Sequence, residues 1–254
     1  MFRVFGVLFG AAAIAYLCLC AALFFSQRSM IYFPNPGSAN PTLTRFPLQA
    51  GAERVLVSTL RKDSLRSVIY FGGNAEDVSG SLPELAAAFP SSAIYLLHYR
   101  GYGGSSGAPS EKALFADALM LYEKVATEHS QIDVVGRSLG SGIAVYVASL
   151  RPVARLVLVT PFDSLQELAS RQFPYIPVRW ILKDKFESWR YAPNVSAPTL
   201  ILAAEYDEVM PRASTELLRT RFRTGLVSYK IIPGATHNTI SISPEYAAAL
   251  KGPP

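Results

Sequence analysis

The sequence predicts a single α/β domain, with a mostly parallel central sheet, helices on both faces and one small insertion. Three observations predict it. Short β-patterned segments alternate with longer helical ones over most of the chain. A glycine-flanked serine, Gly136-Arg137-Ser138-Leu139-Gly140, stands where an apolar strand must turn abruptly into a helix. One stretch, Asp163 to Pro198, separates two strands by far more than a usual connection and is rich in aromatic residues and proline.

With 254 residues and 50% hydrophobic content, the chain can bury one full core. Its net charge of +5 comes from scattered Lys and Arg with no dense basic run, which argues against a nucleic-acid partner and allows at most attraction to an anionic membrane surface. The only cysteines, Cys18 and Cys20, lie in the first apolar segment, so the body of the chain holds no disulfide.

In chain order, residues 1–28 read as an N-terminal membrane anchor. Val4 to Phe25 is an uninterrupted apolar run that would extend about 33 Å as a helix, enough to cross a bilayer. A cleaved signal, cut near Ala21-Ala22, is the main alternative. Arg3 on one side and Arg28 with Arg45 on the other nearly balance, so charge alone leaves the orientation open. A chain starting near Gln27 is expected to be soluble and active.

Residues 29–254 read as the second unit. After a Pro/Asn/Gly-rich connector at Pro34 to Pro41, strands are expected at Val55–Thr59, Ser67–Phe71, Ile94–His98, Ile132–Gly136, Leu156–Thr160, Leu200–Ala204 and Val227–Ile232. Helices are expected from Ser110-Glu111 through Val125, over Leu139–Leu150, and around Ala213–Arg221 and Pro244–Lys251. Residues 163–198 read as a lid, with Phe173 and Trp180 among the side chains expected to line an apolar substrate pocket.

The chemistry starts at Ser138. A serine hydroxyl is a weak nucleophile until a histidine takes its proton and a carboxylate fixes the histidine tautomer. When the order is serine, acid, histidine, His98 and His129 come too early, which leaves His237 in the loop Pro233 to Asn238. For the acid, Asp207 follows the apolar run Leu200–Ala204; Asp163, after the preceding strand, is the competing choice. Two backbone N–H groups must face the developing oxyanion, and Leu139, next to the serine, and Asn74, in the turn Gly72-Gly73-Asn74, are placed to supply them. This chemistry requires neither metal nor cofactor. Tyr99 to Gly107, although glycine-rich, lacks the Lys-Ser/Thr ending of a phosphate-binding loop.

Together FGGNAED at 71–77, YRGYGGSSG at 99–107, GRSLGSG at 136–142, YDEVMP at 206–211 and GATHN at 234–238 resemble the Bem46-like branch of the α/β-hydrolase superfamily. The resemblance implies an α/β-hydrolase fold and a membrane-anchored serine hydrolase with Ser138, Asp207 and His237 as triad. It also favours a catalytic domain on the non-cytoplasmic side, while the substrate expected from the triad and the apolar insertion is a small-molecule or lipid-like ester. A peptidase or amidase would use the same triad, and a tethered binding protein on this fold would not turn over at all. In two places the chain departs from the pattern: Gly72 stands where relatives have histidine, and His98 where they have aspartate. His98 is therefore expected to take over space or hydrogen bonds that the missing histidine would supply.

Overall fold

A computed structural model describes residues 2–37 and 44–252. Eight strands form one sheet in the order β1-β2-β4-β3-β5-β6-β7-β8. They are β1 (Thr44–Ala50), β2 (Glu53–Leu60), β3 (Arg66–Phe71), β4 (Ala93–Leu97), β5 (Gln131–Arg137), β6 (Arg155–Val159), β7 (Thr199–Tyr206) and β8 (Val227–Thr236). β1 pairs antiparallel with β2, and β2 antiparallel with β4; every later pairing is parallel.

All seven expected strands are present within a few residues of the expected bounds. β1 is additional. Its Thr-Arg-Phe-Pro-Leu-Gln-Ala sequence carries Pro47, a residue the edge of a sheet tolerates because no second neighbour needs its missing N–H.

The helices are α1 (Phe2–Ile31), α2 (Leu82–Ala88), α3 (Glu111–Ala126), α4 (Leu139–Leu150), α5 (Leu165–Gln172), α6 (Val178–Ile181), α7 (Ser188–Tyr191), α8 (Arg212–Arg219) and α9 (Pro244–Lys251). Strand alternation divides the core between the two faces of the sheet. Ile69, Phe71 and Val134 point to one face, where they meet Leu114 and Leu121 of α3 and Ile143 and Val147 of α4. Val68, Tyr70 and Val135 point to the other, against Leu85 of α2 and Tyr246 and Leu250 of α9.

The anchor-like segment is longer than its apolar run. α1 continues through Ser26-Gln27-Arg28 to Ile31 because those polar residues find partners in the insertion. Gln27 is buried, its amide donating to the Ile181 carbonyl at 3.1 Å and accepting the Lys183 N–H at 2.7 Å. Arg28 pairs with the buried Asp184 at 2.8 Å. Upstream of these residues α1 is exposed and, by length and composition, able to cross a membrane.

Candidate active site

The parallel strands end along one sheet edge, and the expected site residues collect there. At the end of β5 the chain must reverse into α4 within one residue. Ser138 takes φ 49° and ψ −118°, a strained backbone for a side chain with a β-carbon, and its N–H is held by the Val159 carbonyl at 2.9 Å. The turn closes only around glycine. A Cβ on Gly136 would lie 2.5 Å from both the Gly140 carbonyl and the Ala144 Cβ, and one on Gly140 would overlap the Phe71 carbonyl.

His237 follows β8, and its Nε2 lies 3.0 Å from Ser138 Oγ. Its Nδ1 lies 2.9 and 3.1 Å from the two oxygens of Asp207, past the end of β7. An ionised carboxylate can only accept, so Nδ1 carries the hydrogen and Nε2 presents its lone pair to the serine hydroxyl. Asp207 is itself oriented: its Oδ1 accepts the N–H groups of Val209 at 3.0 Å and Met210 at 2.7 Å. Ser138 and His237 are buried. Asp163 lies elsewhere in the network. Its buried carboxyl pairs with Arg221 at 3.2 Å, and burial raises its pKa against the pull of that arginine.

Leu139 and Asn74 line the same cavity as Ser138. Leu139 opens α4, so its N–H has no helical carbonyl to meet. Asn74 is fixed through its side chain: the amide donates to the Ile31 carbonyl at 2.7 Å and accepts from the Phe33 N–H at 3.0 Å and the Tyr102 hydroxyl at 2.7 Å. Among the described residues the main-chain N–H of Asn74 meets no protein acceptor.

Residues 68–186 match the α/β hydrolase fold family. Over 84% of this chain and 80% of its own, the Mycobacterium tuberculosis protein Rv2307c is 34% identical. Protein bem46 of Schizosaccharomyces pombe is 27% identical over 87% of this chain and 80% of its own. The chain is an α/β hydrolase of the Bem46-like branch. Lysophosphatidylserine lipase ABHD12 of Danio rerio is 31% identical over 57% of this chain, which spans only 44% of that relative. Among solved structures, the Pyrococcus furiosus esterase Pf2001 superposes with TM-score 0.68 at 15% identity, covering 87% of this chain and 96% of that one.

Several parts of this α/β hydrolase site escape sequence reading. Glu76 accepts the Gly73 N–H at 2.6 Å and the hydroxyls of Tyr70 and Ser81, each at 2.7 Å, so it fixes the turn that carries Asn74. Arg137 lies 3.6 Å from Glu76 and donates to the His237 carbonyl at 3.4 Å, which ties that turn to the histidine loop. Glu205 and Glu208, which could pass for solvated loop charges, accept the N–H groups of Gly234 at 2.8 Å and His237 at 3.1 Å. The glycine-rich Tyr99–Gly107 segment also has a positional role, because Tyr99 donates to the Gly72 carbonyl at 2.8 Å and Tyr102 to Asn74.

His98 does not take the place of the missing histidine. The space beside Gly72 belongs to Val78 and Glu76, where a Cβ would already collide. His98 instead lies 2.8 Å from Ser58 Oγ and 3.4 Å from Ser79 Oγ. Burial, helped by the charge of Arg45 and opposed by Asp77, pushes its pKa down to about 4. Folding therefore keeps His98 neutral. Above its usual 6.5 the group adds no pH dependence; as pH falls from there towards about 4 the unfolded chain binds a proton that the folded one refuses, and up to about 3 kcal/mol of stability is lost. Measured across pH, the stabilities of the wild type and His98→Gln from denaturant titrations should agree in slope above 6.5 and diverge as pH falls from there towards about 4. Parallel losses through the acid range would mean that His98 is not held neutral.

The cavity over Ser138 has a volume of about 610 Å³. Phe173 lines it together with Leu165, Leu168, Ile176, Ile181 and Leu182 of the insertion. Trp180 does not; its side chain is 83% exposed, because the four-residue turn of α6 points Val178 inward and Trp180 out. Residues from α1 complete the wall, among them Leu23, Gln27, Met30 and Ile31. Sequence reading treats α1 as a tether that the site does not need, yet a chain starting at Gln27 would lack Leu23 and the turn that holds Gln27 in place.

Proposed function

We propose that this α/β hydrolase is a membrane-anchored serine hydrolase that cleaves carboxylic esters through an acyl-Ser138 intermediate, with residues 163–198 serving as its lid. The reading is carried by the continuous chain from Ser138 Oγ through His237 to Asp207, set on the floor of an apolar cavity. Ser138 Oγ attacks the ester carbonyl carbon while His237 Nε2 takes its proton. The carbonyl oxygen becomes an oxyanion, held by the Leu139 and Asn74 N–H groups, and Asp207 stabilises the imidazolium. Collapse expels the alcohol, protonated by His237, and leaves the acyl group on Ser138. Water, deprotonated by the same nitrogen, then attacks the acyl carbon and releases the acid and the free serine. α1 is read as the anchor, and a lipase among the relatives supports an ester as substrate.

A fluorophosphonate probe and a panel of p-nitrophenyl esters and aminoacyl amides test this reading. Ser138 should be labelled, and kcat/KM should rise about three- to fourfold per added methylene until the cavity is full. A protein that resists the probe, or that cleaves amides faster than any ester, would show the reading to be wrong.

A further inference from the structure

We infer that α1 is part of the substrate site, and that the acyl chain of a membrane-resident ester lies along it. This rests on the serine-hydrolase reading above and on α1 as the anchor. Leu23, Gln27, Met30 and Ile31 line the cavity, and their spacing of four, three and one residues places them on a single helix face. That face begins inside the apolar run and ends at the residue whose carbonyl holds Asn74. From Leu23 to Ile31 it extends about 12 Å along the helix axis. One end of the groove is therefore the reacting centre, and the other lies at the level where α1 enters a bilayer.

The insertion follows α1 in the same direction. The Tyr16 hydroxyl, roughly 16 Å along the helix from Gln27, donates to the Tyr175 carbonyl at 2.7 Å. Lys183 Nζ lies 4.0 Å over the Phe24 ring. Trp180, 83% exposed, is of a type that settles at the boundary between lipid and water. An aqueous substrate would have no use for a pocket wall that lies in the membrane. A lipid in the same bilayer can slide an acyl chain between α1 and Phe173 and present its ester to Ser138 without passing through water.

The test uses the full chain in phosphatidylcholine vesicles. An alkyl fluorophosphonate bearing a terminal diazirine is attached to Ser138 and photolysed, and the crosslinked peptide is identified by mass spectrometry. Crosslinks within Leu23–Ile31 are expected. In the same vesicles Leu23→Trp and Met30→Trp, which narrow the groove from the α1 side, should each lower the ratio of kcat/KM for laurate over acetate esters about tenfold, as losing room for two methylenes would. Phe25→Trp, on the lipid-facing side, should leave that ratio unchanged. Failure of Ser138 to react would overturn the hydrolase reading and this inference with it. Normal labelling with crosslinks only outside α1, or an unchanged ratio in both groove variants, would overturn this inference alone.

Discussion

Ser138→Ala should lower turnover of an ester such as p-nitrophenyl butyrate about a million-fold, the cost commonly found for a serine nucleophile whose partners act as a unit. It should also abolish labelling by fluorophosphonate. The fold should survive. The substitution removes one hydroxyl whose hydrogen-bond partner is His237, and a neutral hydrogen bond contributes only about 1 kcal/mol net. Alanine meets the same backbone demand at φ 49° as serine does, so no new strain is added. The remaining activity would come from the Leu139 and Asn74 N–H groups and from substrate binding, still well above the reaction in water. Turnover within a hundredfold of wild type in a preparation that the probe does not label would remove Ser138 from the mechanism.

The framework was legible in the sequence because it depends on local constraints. Parallel strands buried on both faces are continuous apolar runs, such as Leu156–Val159, and a strand that reverses at a serine requires glycine on either side. β1 and α2 were not legible: Pro47 interrupts one, and the other is only seven residues long with Pro83 at its start. The proximity of Ser138, Asp207 and His237 followed from chain order, since each stands just beyond a strand whose end the sheet places at one edge. What supports them did not follow. Glu76 pairs with Arg137, Arg137 with the His237 carbonyl and Glu208 with the His237 N–H across segments distant in sequence, and a charged residue carries no local signal of such a partner.

α1 shows the same limit more sharply. Its apolar residues advertise a membrane span whatever else they touch, so nothing in Val4–Phe25 reveals that one face closes a cavity. The only trace is the polar continuation: Gln27 and Arg28 extend the helix beyond the apolar run because Ile181, Lys183 and Asp184 receive them. Trp180 misleads in the opposite direction. Aromatic composition argued for a place in the pocket, whereas the short α6 turn points Val178 inward and leaves Trp180 facing outward.

Asp207→Asn should cost about ten thousandfold in kcat, and the surrounding hydrogen bonds give the reason. Oδ1 of Asp207 already accepts from the Val209 and Met210 N–H groups. In the variant those donors would hold the amide oxygen and turn the NH₂ group towards His237. An NH₂ group donates, so Nδ1 would have to give up its hydrogen and Nε2 would carry it. An Nε2 that bears hydrogen cannot accept the proton of Ser138, and the nucleophile is lost although every side chain stays near its place. Asp163→Asn provides the comparison. Its carboxylate serves Arg221 rather than His237, so that variant should melt earlier and keep kcat within about tenfold of wild type. Parallel measurement of kcat and melting temperature separates the two effects. A large loss of kcat in Asp163→Asn, with Asp207→Asn close to wild type, would transfer the acid's role from the end of β7 to the end of β6.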